Sequence, residues 1–132
     1  LKLIQLFKAP FVRGGRNIET GLDCQGLFIE LMRYYGHEVK ESFVAEYATQ
    51  EVAQVVEKEI GSGKWLKLNE PEIGCAVGMA LDSMFPFLVQ HLGIYIGEGK
   101  FIHILEKRGV VTNKITDRFF SGKIRGYYRW IG

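Results

Sequence analysis

The amino-acid sequence predicts an α+β fold in which helices pack on one face of a central antiparallel sheet. Helical periodicity is confined to the first half of the chain, strand-like alternation follows in the second, and the chain has the size of one compact domain. Strands that follow helices, rather than alternating with them, favour segregated layers over βαβ units. With 132 residues, 47% hydrophobic and 24% charged, the composition is that of a chain able to bury its own core. Residues 1–132 are therefore read as a single domain.

Taken in order, Leu1 to Phe7 reads as a helical turn that packs Leu3, Leu6 and Phe7 inward before Pro10 stops it. Val12 to Gly21, with Gly14, Gly15 and Gly21 among polar neighbours, reads as an irregular loop with close backbone approach. From Asp23 to Gly36, Leu27, Phe28, Leu31, Met32 and Tyr35 recur at three- and four-residue spacing, with Asp23 as N-cap and Gly36 as C-cap. A second helix runs from about Val44 to Ile60 on a stripe of Ala45, Ala48, Val52, Val55, Val56 and Ile60, ended by Gly61. Strands are expected at Cys75–Leu81, His91–Ile96, Lys100–Leu105 and Lys123–Trp130.

The formal net charge is +2 and the charges are interleaved, so no field strong enough to require a polyanion is implied. Lys123, Arg125 and Arg129, alternating with aromatics, read as a solvated strand face, and no nucleic-acid partner is expected. No apolar run reaches the ~18 residues of a membrane span. No secretory signal is visible, and a chain that opens on Leu1 rather than methionine leaves localisation open. Two cysteines are too few for a disulfide framework and lack C-x-x-C spacing. No metal or cofactor is expected: zinc held by Cys75, His91 and His103 would lack the usual short ligand spacings. A Cys24–Cys75 disulfide stays open as an alternative that would abolish the thiol.

Three residues carry candidate chemistry. Cys24 directly follows the N-cap, where unpaired backbone N–H groups and the positive end of the helix dipole favour a thiolate and can hold an oxyanion. A three-residue loop Gly97–Gly99 between the two central strands would pair Ile96 with Lys100, so that His91 faces Leu105 and His103 faces Gly93. Both imidazoles then lie on one face as diagonal neighbours about 7–8 Å apart at the backbone, within reach of a hydrogen bond. A two-residue loop would put them on opposite faces. His91 as base, oriented by His103, is the arrangement that thiol nucleophiles require. His37, after Gly36, reads as a surface turn, and Cys75 as a packed core thiol.

These residues resemble the NlpC-type cell-wall cysteine peptidases, a papain-like family. The resemblance runs through APFVRGGRNIETGLDCQGLF (Ala9 to Phe28), HLGIYIGEGKFIHI (His91 to Ile104), GVV at Gly109 and the closing GYYRW (Gly126 to Trp130). It implies catalytic roles for Cys24, His91 and His103, and substrate binding by Phe11, Asp23 and Gln25 around the nucleophile. It also implies a substrate class, peptidoglycan stem peptides cut between D-glutamate and the diamino acid, and action at the bacterial cell wall. Two hydroxyls usual in the family are missing, since Phe11 stands for tyrosine and Gln25 for serine, and the usual Gly-Asp before the histidine strand is here Gly74-Cys75. The PFVRGGR and DCQGL variants are most similar to members from phage tails and prophages, which implies a tail or another recruiting protein as partner.

Two other readings belong to different classes. One is an acyl or amide transferase on the same scaffold; lipid acyltransferases resembling this family are typically permuted, whereas here Cys24 precedes His91. The other is a wall-binding tail module without turnover, which the departures at Phe11 and Gln25 suggest and the intact Cys24, His91 and His103 oppose.

Overall fold

The computed structural model describes residues 3–39 and 49–132. Helix α1 (Leu3–Leu6) precedes a small hairpin of β1 (Arg16–Asn17) and β2 (Gly21–Leu22), which leads into α2 (Cys24–Tyr34). Helix α3 (Thr49–Ile60) is followed by β3 (Trp65–Leu68), β4 (Ala76–Met79), β5 (His91–Gly97), β6 (Lys100–Leu105) and β7 (Gly109–Lys114). A short α4 (Arg118–Ser121) then leads to β8 (Ile124–Trp130). Six strands form one sheet in the order β3-β8-β4-β5-β6-β7, every neighbouring pair antiparallel. The α+β expectation holds, and all four expected strands are present.

Helix α2 forms where its local signals place it. The Asp23 carboxylate accepts the Gly26 N–H at 2.8 Å, satisfying one orphan donor of the first turn. At the other end Tyr35 is the C-cap and Gly36 takes φ +88°. The Gly36 N–H then bonds Arg33 O at 3.0 Å and the His37 N–H bonds Met32 O at 2.9 Å. This paired closure needs a left-handed residue at Gly36; the turn is Tyr35–Gly36, and His37 lies just beyond it, half-buried rather than in the expected surface turn. Leu27, Phe28, Leu31 and Met32 are buried against Ala76, Ile94, Ile102, Ile104 and Tyr128.

The opposite face of the sheet buries Val77, Met79 and Phe101 under Phe120 of α4. At the N-terminus the helix stops after one turn, so Leu6 is fully buried but Phe7 points outward, contrary to the inward packing expected for it. The expected start of the second helix, residues 44–48, lies outside the described residues.

The hairpin that carries the histidines differs from expectation in its turn. Ile96 does not pair with Lys100; Gly97 does, and Glu98 and Gly99 form a two-residue turn with φ of +54° and +73°. A bulge between Tyr95 and Gly97 restores the register beyond it, with Tyr95 opposite Phe101 and Ile94 opposite Ile102. The extra strand residue does what a third loop residue would have done, and His91 and His103 still share a face.

The glycine of D-C-x-G-L also finds its reason here. A Cβ on Gly26 would run into the carbonyl oxygen of Gly15 and touch Leu22 Cδ2 at 3.1 Å. The loop before α2 thus packs backbone to backbone on the first helical turn. Gly26→Ala is expected to lower stability by roughly 1–3 kcal/mol, the usual cost of overpacking, and to lower activity with it. Chemical denaturation of the variant beside the wild type measures this.

Candidate active site

Cys24 opens α2 and is partly exposed, whereas Cys75 is buried, and both are free thiols. A Cys24–Cys75 disulfide is therefore not formed. The backbone N–H groups of Cys24 and Gln25 bond the sulfur and favour its anion, as the helix position predicts. They do not prevail. Burial, and after it the adjacent Asp23 carboxylate, push the Cys24 thiol up to about 11, with Arg16 pulling only weakly the other way. At rest the Cys24 side chain is a neutral thiol, against the expectation of a ready thiolate: desolvation at this helix end outweighs the dipole.

His91 begins β5 and is buried; its Nε2 lies 2.8 Å from His103 Nδ1. His103 is fully buried, its ring between Phe101 at 4.8 Å and Phe120 at 5.0 Å, centroid to centroid. Its Nε2 lies 2.8 Å from Asn113 Oδ1. That oxygen can only accept, so the His103 proton sits on Nε2 and Nδ1 is an acceptor. His91 must then donate from Nε2, which leaves the lone pair on its Nδ1 for a proton. The relay Asn113–His103–His91 thus fixes two tautomers from one amide oxygen.

Burial, reinforced by His103, pushes His91 down to about 3, and burial also lowers His103. Both rings are neutral bases at neutral pH. In the unfolded chain a histidine takes its proton near 6.5. Below that pH the unfolded state binds protons that the folded state refuses, so the stability present above pH 6.5 is lost as pH falls toward about 3. The expected slope is roughly 1.4 kcal/mol per pH unit for each such histidine. Denaturation at pH 7.5, 5.5 and 4.5 measures it, and His91→Asn should flatten the curve.

Helix α2 packs on β5 and β6, and the residues next to the candidate pair, Gln25 and Leu92, line one cavity of about 30 Å³ with Phe28, Trp65 and Tyr128. Of the residues expected to bind substrate, Phe11 bridges to Leu22 immediately before the Asp23–Cys24 pair. Asp23 is buried, with Oδ1 accepting from Gly26 N–H and from Arg16 Nη1 at 2.7 Å, and Oδ2 from Gly14 N–H at 3.0 Å. Gln25 is 5% exposed, and its Oε1 accepts from Arg16 Nη2 at 2.7 Å. Both polar side chains are thus committed to the interior rather than presented at the surface.

Asn113 was not anticipated. Its signal is the pairing of Leu105 with Gly109, which puts Val111 opposite His103 and Asn113 one step further along the same face. Among the described residues no cluster of three or more His, Cys, Asp or Glu could hold a metal ion, and no helix is long and apolar enough to cross a membrane.

The sequence model of the NlpC/P60 family matches residues 8–129. No curated protein matches the sequence. The fold is similar to that of an NLP/P60-family protein, described as similar to lipoprotein, from Staphylococcus aureus subsp. aureus Mu50, at 17% identity and TM-score 0.64 over 98% of this chain and 39% of that one. It is also similar to an NlpC/P60 family protein from Bacillus cereus ATCC 10987, at 18% identity and TM-score 0.63 over 93% of this chain and 36% of that one. A third similar structure is the NlpC/p60 domain of the peptidoglycan hydrolase SagA, at 14% identity and TM-score 0.57, covering 95% of this chain and 89% of that domain.

Proposed function

The chain belongs to the NlpC/P60 family, and from that premise we propose that it is a cysteine hydrolase cutting an amide bond in peptidoglycan stem peptides. The observation that carries this reading is the Asn113–His103–His91 relay, which leaves one imidazole lone pair on the strand that packs beneath the Cys24 helix. The family is one of cell-wall peptidases and amidases, and one structural relative is named a peptidoglycan hydrolase.

Cys24 Sγ attacks the scissile carbonyl carbon as its proton passes to His91 Nδ1. The C–S bond forms, and the carbonyl oxygen takes the negative charge opposite the N–H groups of Cys24 and Gln25. Imidazolium on His91 keeps its Nε2–H on His103 Nδ1, a charge-assisted bond worth about 1.5–3 kcal/mol. Collapse breaks the C–N bond, with the His91 proton going to the amine. Water, deprotonated by His91, then cleaves the thioester to free acid and restores the thiol.

The D-glutamyl bond to the diamino acid is the favoured scissile bond. The likeness of PFVRGGR and DCQGL to tail-borne members supports a phage-tail wall-penetrating module as the setting. The test is incubation of the purified protein with stem peptides containing diaminopimelate or lysine, with products mapped by mass spectrometry. Cleavage at the D-glutamyl bond by wild type is the expected result. Cleavage at another amide would move the substrate assignment, and binding to wall fragments with no product released would replace hydrolase by binding module.

A further inference from the structure

We propose that Arg16 is a positioning residue for the nucleophile: its guanidinium ties together the two residues that flank Cys24 and sets the first turn of α2 beneath the sulfur. This rests on reading Cys24 as the nucleophile. The β1–β2 hairpin pairs Arg16 with Leu22 and so delivers the side chain to the entry of the helix. There Nη1 donates to Asp23 Oδ1 at 2.7 Å and to Gly15 O at 2.9 Å, while Nη2 donates to Gln25 Oε1 at 2.7 Å. One planar fork thus spans the residue before the cysteine, the residue after it, and the loop that packs on Gly26.

Two consequences follow from chemistry alone. A carboxylate bonded into the turn next to a sulfur opposes any second negative charge there, and the cation on Asp23 offsets that opposition. The amide of Gln25 is long enough to complete the fork, so glutamine in DCQGL and arginine in GGR act as one unit. The charge belongs to Arg16 and can be kept by lysine; the two-pronged geometry cannot.

The experiment measures the rate of Cys24 alkylation by iodoacetamide against pH, read on the Cys24 peptide, for wild type, Arg16→Gln and Arg16→Lys, each checked for folding by circular dichroism. Arg16→Gln is expected to displace the profile alkaline by about 0.3 pH unit, which is about twofold slower modification below the midpoint. Arg16→Lys should recover the midpoint yet keep a reduced kcat on stem peptides at nearly unchanged KM. A folded Arg16→Gln with the wild-type profile would overturn the proposal, since a purely structural arginine changes stability without moving that midpoint.

Should Arg16→Gln not fold, Gln25→Met carries the test by keeping the Arg16–Asp23 pair and removing the second anchor. Its expected signature is kcat lowered about three- to tenfold with KM held; wild-type kcat would overturn the proposal. Wild-type alkylation indifferent to His91→Ala would instead remove the nucleophile reading, and the proposal with it.

Discussion

Cys24→Ala is expected to lower turnover of a stem peptide by about 10⁴-fold or more, with the fold intact. The side chain is partly exposed at the first turn of α2, and its removal leaves no atom able to form the acyl intermediate. The loss should not add to that of His91. A neutral thiol cannot attack without a base, and a base without a thiol has nothing to activate, so groups acting as one unit give single losses as large as the double. Cys24→Ala, His91→Ala and the double variant should therefore fall to one common residual rate, measured as kcat/KM on one peptide. Losses that multiply would mean that the two residues act in separate steps.

The second large effect is expected at His103, which touches no substrate atom in this mechanism. His103→Ala removes the acceptor of His91 Nε2 and leaves a buried N–H unpaired. The ring is then free to take the other tautomer, with its proton where the lone pair is needed. A loss of about 10²- to 10⁴-fold in kcat is expected, the range of general acid–base contributions, together with destabilisation because the ring fills space between Phe101 and Phe120. Asn113→Ala keeps both rings and removes only the oxygen that fixes the His103 tautomer. About tenfold is expected there, since the tautomer becomes a population rather than a fixed state. Single-turnover rates for the three proteins separate the chemical step from product release.

Much of this site was legible because its determinants are local. Asp23, the apolar spacing from Leu27 to Met32 and Gly36 each act within a few residues, and together they place Cys24 at a helix start. The facing of His91 and His103 was readable from strand parity, although the turn was not: a bulge at Ile96 and a two-residue turn replace the expected three-residue loop, and the register survives because the bulge adds the residue that the shorter turn omits. The edge strands β3 and β7 were missed. Their burial is broken, with Leu66 and Lys67 exposed and only Val110 of β7 buried, so alternation is weak there.

The ionisation of Cys24 could not be read locally at all. Its helix position argues for a thiolate, and only the assembled surroundings, with Asp23 bound in the turn, show that burial decides the matter. Arg16 was invisible for the same reason. In the sequence it is one polar residue in a glycine-rich loop, and Gly15 O, Asp23 and Gln25 converge on it only after β1 and β2 pair.

The central claim is that Cys24 carries the acyl group with His91 as its base. Rapid acid quench of the wild type during turnover of a stem peptide, followed by peptide mass spectrometry, tests it most directly. The expected result is a mass increase equal to the acyl fragment, confined to the Cys24 peptide and absent in His91→Ala. An adduct on another residue, or hydrolysis that continues unlabelled in Cys24→Ala, would contradict it.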